Sequence, residues 1–404
     1  MDTLLVEELH EQIMKEMDLS HESTDEELME MIHHTLDEKS RERFIPLQEK
    51  AAVGRTLFNS FRKLDILQEL LEDHTITEIM INGTENIFIE REGKIFLSES
   101  RFLSRKKLED VVQKIVAGCN RVVNEASPVV DARLEDGSRV NVVLSPAALN
   151  GPIVTIRKFP EKRIRLEDLL EYGTLNREVA DFLISLVKAG YNIFISGGTG
   201  SGKTTFLNVL SDYIPEDERV ITIEDNAELQ MTSVKNLVRL EARSANVEGV
   251  GEITIRSLIK TALRMRPDRI IVGETRGAEA IDMLQAFNTG HDGSFSTGHA
   301  NSPKDMIARL ETMVLMGMDI PLPAVQRQIA GGIDILVHLG RLRDKSRKVL
   351  KVMEVLGYEE GEIRLQSLYQ FRETKITGGK ITGEWVKEAE LTHREKLLAS
   401  GTGK

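Results

Sequence analysis

The strongest constraint on the fold is one short stretch, Gly197-Gly198-Thr199-Gly200-Ser201-Gly202-Lys203-Thr204. It meets every fixed position of the phosphate-binding pattern G-x-x-x-x-G-K-[ST]. Its flanks agree: Tyr191–Ser196 is an apolar strand candidate, and Thr205–Tyr213 reads as a helix. The glycines let backbone N–H groups from Gly198 to Thr205 curl around phosphates. The start of the helix adds favourable partial charge. In this arrangement Lys203 reaches the β- and γ-phosphates and Thr204 offers its hydroxyl to Mg²⁺. The expected ligand is therefore ATP with Mg²⁺.

The chain has 404 residues, enough for two or three domains. After the loop, apolar strands alternate with helices to about Val337, the mark of a parallel sheet. The fold class expected is α/β: a RecA-like P-loop NTPase domain, preceded by a smaller α+β domain and an N-terminal helical segment. The expected boundaries are 1–60 for the acidic helical segment and 61–159 for the α+β domain. A linker follows at 160–176, the RecA-like ATPase domain at 177–345 and a β-rich tail at 346–404, its polar end frayed. In the first segment Leu5, Leu9, Ile13 and Met17 recur every four residues, Leu28, Met31, Ile32 and Leu36 repeat the pattern, and Ser23-Thr24-Asp25 offers a cap. Asn82-Gly83 and Glu92-Gly93 read as hairpin turns in the second.

Charge and cysteine narrow the function. Residues 1–50 hold 15 acids and 5 bases, a balance of −10 within a total of −12, so the rest of the chain stands at −2. A body so near neutral argues against a dedicated nucleic-acid binder. The single cysteine, Cys119, cannot build a disulfide framework or a four-cysteine zinc site. No apolar run is long enough to span a bilayer, and the N-terminus has no secretory pattern, so a cytoplasmic location is expected.

Hydrolysis needs carboxylates near the phosphates. Arg269-Ile270-Ile271-Val272-Gly273-Glu274 is an apolar strand ending in an acid, which sets Glu274 at the sheet's C-terminal edge, where open α/β sheets bind ligands. Glu224 and Asp225 follow a second such strand, and Glu228 comes one turn later. Glu274 is the first candidate to organise metal and water, and Glu224 is the alternative base; the choice stays open. His291 and His299 lie eight apart in a small-residue stretch ending Gly298-His299-Ala300-Asn301. No Cys or third His completes a metal set, and a neutral imidazole near a phosphate can report its presence by hydrogen bonding. Arg133, Arg139 and Arg157 lie on or beside strands of the second region and read as surface charge on their own.

Together these blocks resemble the ATPases of type II and type IV secretion and type IV pilus systems, over roughly residues 70–357. Glu224-Asp225 with Glu228 is similar to that family's aspartate box, Gly273-Glu274 to its atypical Walker B, and His291 with His299 to its histidine box. Asp131-Ala132-Arg133-Leu134, Asp136-Gly137-Ser138-Arg139-Val140-Asn141, Thr155-Ile156-Arg157 and Asn288-Thr289-Gly290-His291 are most similar to the tight-adherence (Tad) pilus ATPases of the CpaF type. One departure is Gly298, where the pattern has a larger residue. The resemblance implies a PAS-like fold for the second domain and Arg133, Arg139 and Arg157 as nucleotide contacts. It also implies a homo-hexamer working on polytopic inner-membrane platform proteins, without zinc. A DNA-handling RecA-like ATPase, a type IV secretion ATPase and a nucleotide-gated assembly factor are the alternatives.

Overall fold

The computed structural model describes residues 3–17, 23–91, 93–119, 121–159, 163–243, 245 and 250–401. Glu92 of the second hairpin turn and the first residues of the expected linker, 160–162, fall outside them. The chain divides into two compact units, Met1–Lys162 and Arg163–Lys404.

The first unit opens with three helices, α1 (Thr3–Glu16), α2 (Asp25–Glu42) and α3 (Leu47–Arg62). Their apolar stripes meet: Leu5, Leu9 and Ile13 pack with Leu28, Ile32, Leu36, Val53 and Leu57. Thr24 starts α2 with a reciprocal cap, its hydroxyl accepting from Glu27 N at 3.2 Å while Thr24 N donates to Glu27 Oε2 at 2.7 Å. A short helix, α4 (Ile66–Glu72), leads to strands β1 (Ile76–Asn82), β2 (Asn86–Arg91) and β3 (Lys94–Leu97). Helix α5 (Arg105–Gly118) follows, then β4 (Val129–Arg133), β5 (Arg139–Val143) and β6 (Ile153–Arg157). The strands form one antiparallel sheet in the order β3-β2-β1-β6-β5-β4. One face of α5, with Leu108, Val112 and Ile115, shares a core with Ile79, Ile81, Val140, Val154 and Ile156. Each such side chain contributes about 1.5–3 kcal/mol before ordering entropy is counted.

The second unit begins with α6 (Leu166–Glu171) and α7 (Arg177–Lys188). Then come β7 (Ile193–Gly197), α8 (Lys203–Ser211), β8 (Arg219–Glu224), β9 (Asn236–Glu241), α9 (Ile255–Ala262), β10 (Arg269–Val272), α10 (Ala280–Phe287) and β11 (Phe295–His299). The remainder is α11 (Pro303–Gly317), α12 (Leu322–Gly332), β12 (Ile335–Arg341), β13 (Arg347–Glu359), β14 (Glu362–Thr377), β15 (Lys380–Lys387) and α13 (Glu395–Ala399). All nine strands form one sheet, ordered β15-β14-β13-β12-β7-β11-β10-β8-β9. From β12 to β9 the pairs are parallel; from β12 out to β15 they are antiparallel. Alternation along the central strand β7 explains the two-sided core. Ile193 and Ile195 face a cluster containing Leu183, Phe206 and Leu207, whereas Phe194 faces one containing Ile259, Leu284 and Leu310.

The strands after 346, expected as a tail, continue the ATPase sheet because β12 pairs with β7 on one side and β13 on the other. Contacts tie the chain down into α13, while residues 402–404 of the expected frayed end lie outside the described residues. Lys396 Nζ donates to Asp292 Oδ1 at 2.7 Å and Asp334 Oδ2 at 2.8 Å, and Trp385 Nε1 donates to Val349 O at 2.7 Å.

Candidate functional site

The C-terminal ends of β7, β8, β10 and β11 bring the sequence blocks together. Gly197 ends β7 with φ +158°, and a Cβ there would stand 2.4 Å from Leu339 O and 2.6 Å from Ser201 Oγ. Only glycine lets the loop leave the sheet so close to the neighbouring strand. Gly200 and Gly202 take positive φ, +70° and +94°, and Gly202 caps α8, whose first residue is Lys203. Gly198, Thr199, Gly200, Ser201, Gly202, Lys203, Thr204 and Thr205 thus form a turn feeding a helix N-terminus, the geometry of an anion cradle. The Ser201 hydroxyl is buried there without a hydrogen-bond partner.

Lys203 folds back over the loop, its Nζ donating to Gly197 O at 3.2 Å and Gly198 O at 3.1 Å. A third contact is to His299 Nδ1 at 3.2 Å. The other ring nitrogen, Nε2, lies 2.7 Å from Glu274 Oε1, too poorly aligned for a full hydrogen bond. Glu274 Oε2 accepts from Arg276 at 2.6 Å, and Arg276 reaches on to Asp225 Oδ2 at 3.5 Å. Lysine, imidazole, carboxylate, guanidinium and carboxylate form one continuous chain. Burial draws the Lys203 ammonium below its ordinary pKa, with Glu274 opposing. Burial, then the Lys203 charge, also lowers His299, favouring the neutral imidazole that can accept from Lys203.

Glu224 occupies a different place. It is 3% exposed, and its Oε2 accepts from the backbone N–H of Glu228 at 2.8 Å and Leu229 at 2.9 Å. Its Oε1 is buried without a partner. Burial pushes its carboxyl up to about 7, with the two N–H bonds opposing. Asp225 turns instead to Arg276, and Glu228 contributes its backbone. A carboxyl poised near neutrality with one oxygen unpartnered suits proton transfer, and Glu274, in a charged network, suits holding a cation or water. Thr204 on the first turn of α8, and Glu274, linked to Lys203 through His299 and with Oε1 lacking a hydrogen-bond partner, are oxygen donors of the kind that fits Mg²⁺ and its waters.

The two histidines part company. His299 ends β11 beside the P-loop. His291 precedes the other end of that strand, about 13 Å away for a strand of this length. There its Nδ1 lies 3.0 Å from Ala286 O, so the structure does not gather both histidines at one phosphate as expected. Gly298 is explained by packing: a Cβ would meet Met306 Sδ and Phe194 Cε1, each at 3.0 Å.

In the first unit the three arginines fall in register on adjacent strands, Arg133 opposite Arg139 and Arg139 opposite Arg157. Arg157 has Glu78 on its other side, and Arg133 Nε donates to Gly137 O at 3.1 Å. Like charges directly opposite one another disfavour a sheet pair. A row of three guanidinium-bearing positions is what a polyanion would reward.

Two contacts were not anticipated. Arg276 was legible only as a basic residue two places after Glu274. Arg347, at the start of β13, donates from Nε to Gly200 O at 2.9 Å across 147 residues of sequence, which no local pattern announces. Beside it a cleft of about 220 Å³ runs along the loop, walled by Ile164, Leu169, Tyr172, Thr205 and Phe206.

Comparison with known proteins agrees with this architecture. Residues 61–374 match the family described as type II/IV secretion system protein. The chain is 33% identical over 321 residues to a putative conjugal transfer protein of Mycobacterium tuberculosis, covering 78% of this chain and 90% of that one. It is 33% identical over 318 residues to the type IV secretion system protein VirB11 of Brucella suis, covering 72% and 88%. Among solved structures, the pilus retraction motor PilT with bound ADP aligns with TM-score 0.53 at 20% identity, over 84% of this chain and 86% of that one. The ATPase DotB of Legionella pneumophila aligns with TM-score 0.51 at 23% identity, over 73% and 80%. These two speak to the fold alone. With the phosphate loop, its lysine and its carboxylates in place and more than half its length matched, the chain belongs to the type II/IV secretion system protein family and is an ATPase.

Proposed function

We propose that this ATPase is a homo-hexameric motor. It works at the cytoplasmic face of the inner membrane, on polytopic platform proteins of a Tad-type pilus or a related secretion machine. The observation that carries the reading is the unbroken chain Lys203–His299–Glu274–Arg276–Asp225. It joins the phosphate-binding lysine to the histidine box and both acidic boxes, so a change at the phosphates is felt by elements on four strands. The in-register arginines give a second motive. Arg133, Arg139 and Arg157 supply positive charge to the nucleotide phosphates, so that hydrolysis alters what holds the N-terminal domain.

In this reading Lys203 and the loop N–H groups bind the phosphates, and the cleft beside Tyr172 and Phe206 takes the base. Mg²⁺, when bound, neutralises charge on the phosphate oxygens. Thr204 and Glu274 hold it, directly or through water. Glu224 accepts a proton from the attacking water, as its near-neutral pKa and unpartnered Oε1 allow. His299 senses the γ-phosphate through Lys203. His291, at the other edge of the sheet, keeps a nucleotide role only toward a neighbouring subunit's site. Among the described residues no helix is long and apolar enough to cross a membrane, so attachment falls to the platform proteins. The conjugal transfer and VirB11 relatives favour type IV secretion as a second reading of the machine served.

The test is complementation. In a host lacking the gene, the wild-type chain should restore pilus assembly or secretion and co-purify with a polytopic membrane protein. Lys203→Ala should do neither step of hydrolysis nor restoration while still folding. DNA-stimulated turnover with no membrane partner would replace the motor reading with the DNA-handling one.

A further inference from the structure

The start of β13 meets two parts of the nucleotide site that the scheme above treats separately. Arg347 donates from Nε to Gly200 O at 2.9 Å, and a Cβ on Gly202 would lie 3.4 Å from its Cδ. One side chain thus rests along the apex of the phosphate loop. The next two residues of the strand bond instead to the segment that ends α6. Lys348 is buried, and its Nζ donates to Gly173 O and, at 3.5 Å, to Tyr172 O. Val349 N donates to Thr174 O at 2.8 Å. Tyr172 and Thr174 line the cleft beside the loop, as do Ser201, Gly202 and Thr205.

The strand ladder does not reach the loop's apex. Pairing of β12 with β7 ends at Leu339 and Gly197, short of Gly200. Gly200 has φ +70°, and glycine peptides rotate readily, so a donor on its carbonyl fixes which way the apex peptide points. The hairpin that carries Arg347 is itself braced. Asp344 Oδ1 accepts from Ser346 N at 3.0 Å and Ser346 Oγ at 2.6 Å, and its Oδ2 accepts from Ile381 N on β15 at 2.7 Å. The arginine therefore acts from a fixed support, and the loop is the part that it positions.

We propose that Arg347 is a positioning residue for nucleotide binding. By holding the Gly200 carbonyl to the β13 hairpin, it keeps the phosphate loop in register with the wall of the cleft, so that one nucleotide fills both at once. Fixing the two subsites in advance removes an ordering cost from binding a ligand that spans them, and removes nothing for a ligand that fills only one. This rests on the assignment of the cleft to the base made above.

The experiment measures KM and kcat for ATP, inhibition by magnesium tripolyphosphate, which has no base, and thermal melting. The full-length variants are Arg347→Ala, Arg347→Gln, Arg347→Lys and Tyr172→Ala. The glutamine amide nitrogen stands where arginine Nε stood, without the charge; lysine keeps the charge but has a methylene there. Arg347→Ala should raise KM for ATP about tenfold, leave kcat within about twofold, and leave tripolyphosphate inhibition unchanged. Gln should restore most of the ATP affinity and Lys little of it. Tyr172→Ala should likewise raise KM for ATP and spare tripolyphosphate. Equal losses for ATP and tripolyphosphate in Arg347→Ala overturn the proposal, because the arginine would then serve the phosphate cradle alone. Rescue by Lys without rescue by Gln also overturns it, in favour of plain charge. If Arg347→Ala does not fold, the Gln and Lys variants decide. An unchanged KM in Arg347→Ala beside a raised one in Tyr172→Ala overturns the positioning role alone. An unchanged KM in Tyr172→Ala instead sinks the assignment of the cleft to the base.

Discussion

His299 Nε2 stands 2.7 Å from Glu274 Oε1, so the last residue of β11 meets the acid that follows β10. Glu274 is thereby held in a charged network, while Glu224 on the next strand out is buried with one oxygen unpartnered. The two acids should fail differently. Glu274→Gln should keep nucleotide bound and slow turnover by roughly two orders of magnitude, since an amide neither holds a cation nor pairs with Arg276. Glu224→Gln should also slow turnover, without trapping nucleotide. Equilibrium binding of a fluorescent ATP analogue beside steady-state hydrolysis separates them. Trapping in the Glu224 variant alone would exchange the two roles.

Arg276 joins Glu274 at 2.6 Å to Asp225 at 3.5 Å, and its side chain is 57% exposed. An exposed ion pair adds little to folding, at most about 1 kcal/mol. Arg276→Ala should therefore melt within a few degrees of wild type yet lose about tenfold in kcat, because Glu274 loses its orientation. Wild-type turnover would reduce the ion pair to surface charge.

Gly273 is required for a reason other than backbone freedom. A Cβ there would lie 2.9 Å from Glu224 Cγ, and Glu224 cannot retreat without breaking its bonds to Glu228 N and Leu229 N. Gly273→Ala should cost about 1–3 kcal/mol through overpacking. It should reduce kcat to near the level of Glu224→Gln. A stable, fully active Gly273→Ala enzyme would show that Glu224 is not needed where it stands.

The P-loop and the acids at strand ends were legible because each is a local pattern: glycines where φ is positive, a carboxylate after four apolar residues. Arg276 and Arg347 were not, since their roles come from what the sheet brings beside them. His291 misled for the same reason. Eight residues of sequence suggested a pair, but a strand running the depth of the sheet carries its two ends to opposite edges. The continuation of the ATPase sheet through β13, β14 and β15 was equally hidden, because antiparallel additions to a parallel sheet have the pattern of any hairpin.

Glu224 makes a pH prediction whose sign is fixed. Its folded pKa is about 7 against an ordinary 4.5, with burial as the main cause. A carboxyl raised on folding contributes stability that is whole below about pH 4.5 and is lost as pH rises through 7. Glu224→Gln mimics the protonated form and carries no such loss. The stability of the variant relative to wild type should therefore grow between pH 4.5 and 7, by about 3 kcal/mol at most. Urea unfolding of both proteins across that window measures it. A constant difference would mean that folding does not raise the pKa of Glu224.

The arginine row yields the sharpest contrast between structure and function. Arg139 sits in register between Arg133 and Arg157. Opposed like charges weaken a sheet pair by a few tenths of a kcal/mol to about 1 kcal/mol. If the row is only surface charge, Arg139→Ala should leave turnover alone and leave stability equal or slightly higher. If it answers the nucleotide phosphates, the same change should cut turnover by two or more orders of magnitude, because such contacts strengthen in the transition state. Stability would still not fall. Arg133→Ala also loses the bond to Gly137 O at the hairpin, so some of its effect is structural. Arg157, next to Glu78, should matter most for coupling between nucleotide and N-terminal domain. ATPase rate, melting temperature and light-scattering mass for the three variants provide the comparison. A large loss of rate in Arg139→Ala, with an unlowered melt and an unchanged assembly, assigns the row to the phosphates. Full rates in all three return the arginines to solubility and leave the N-terminal domain without a known link to hydrolysis.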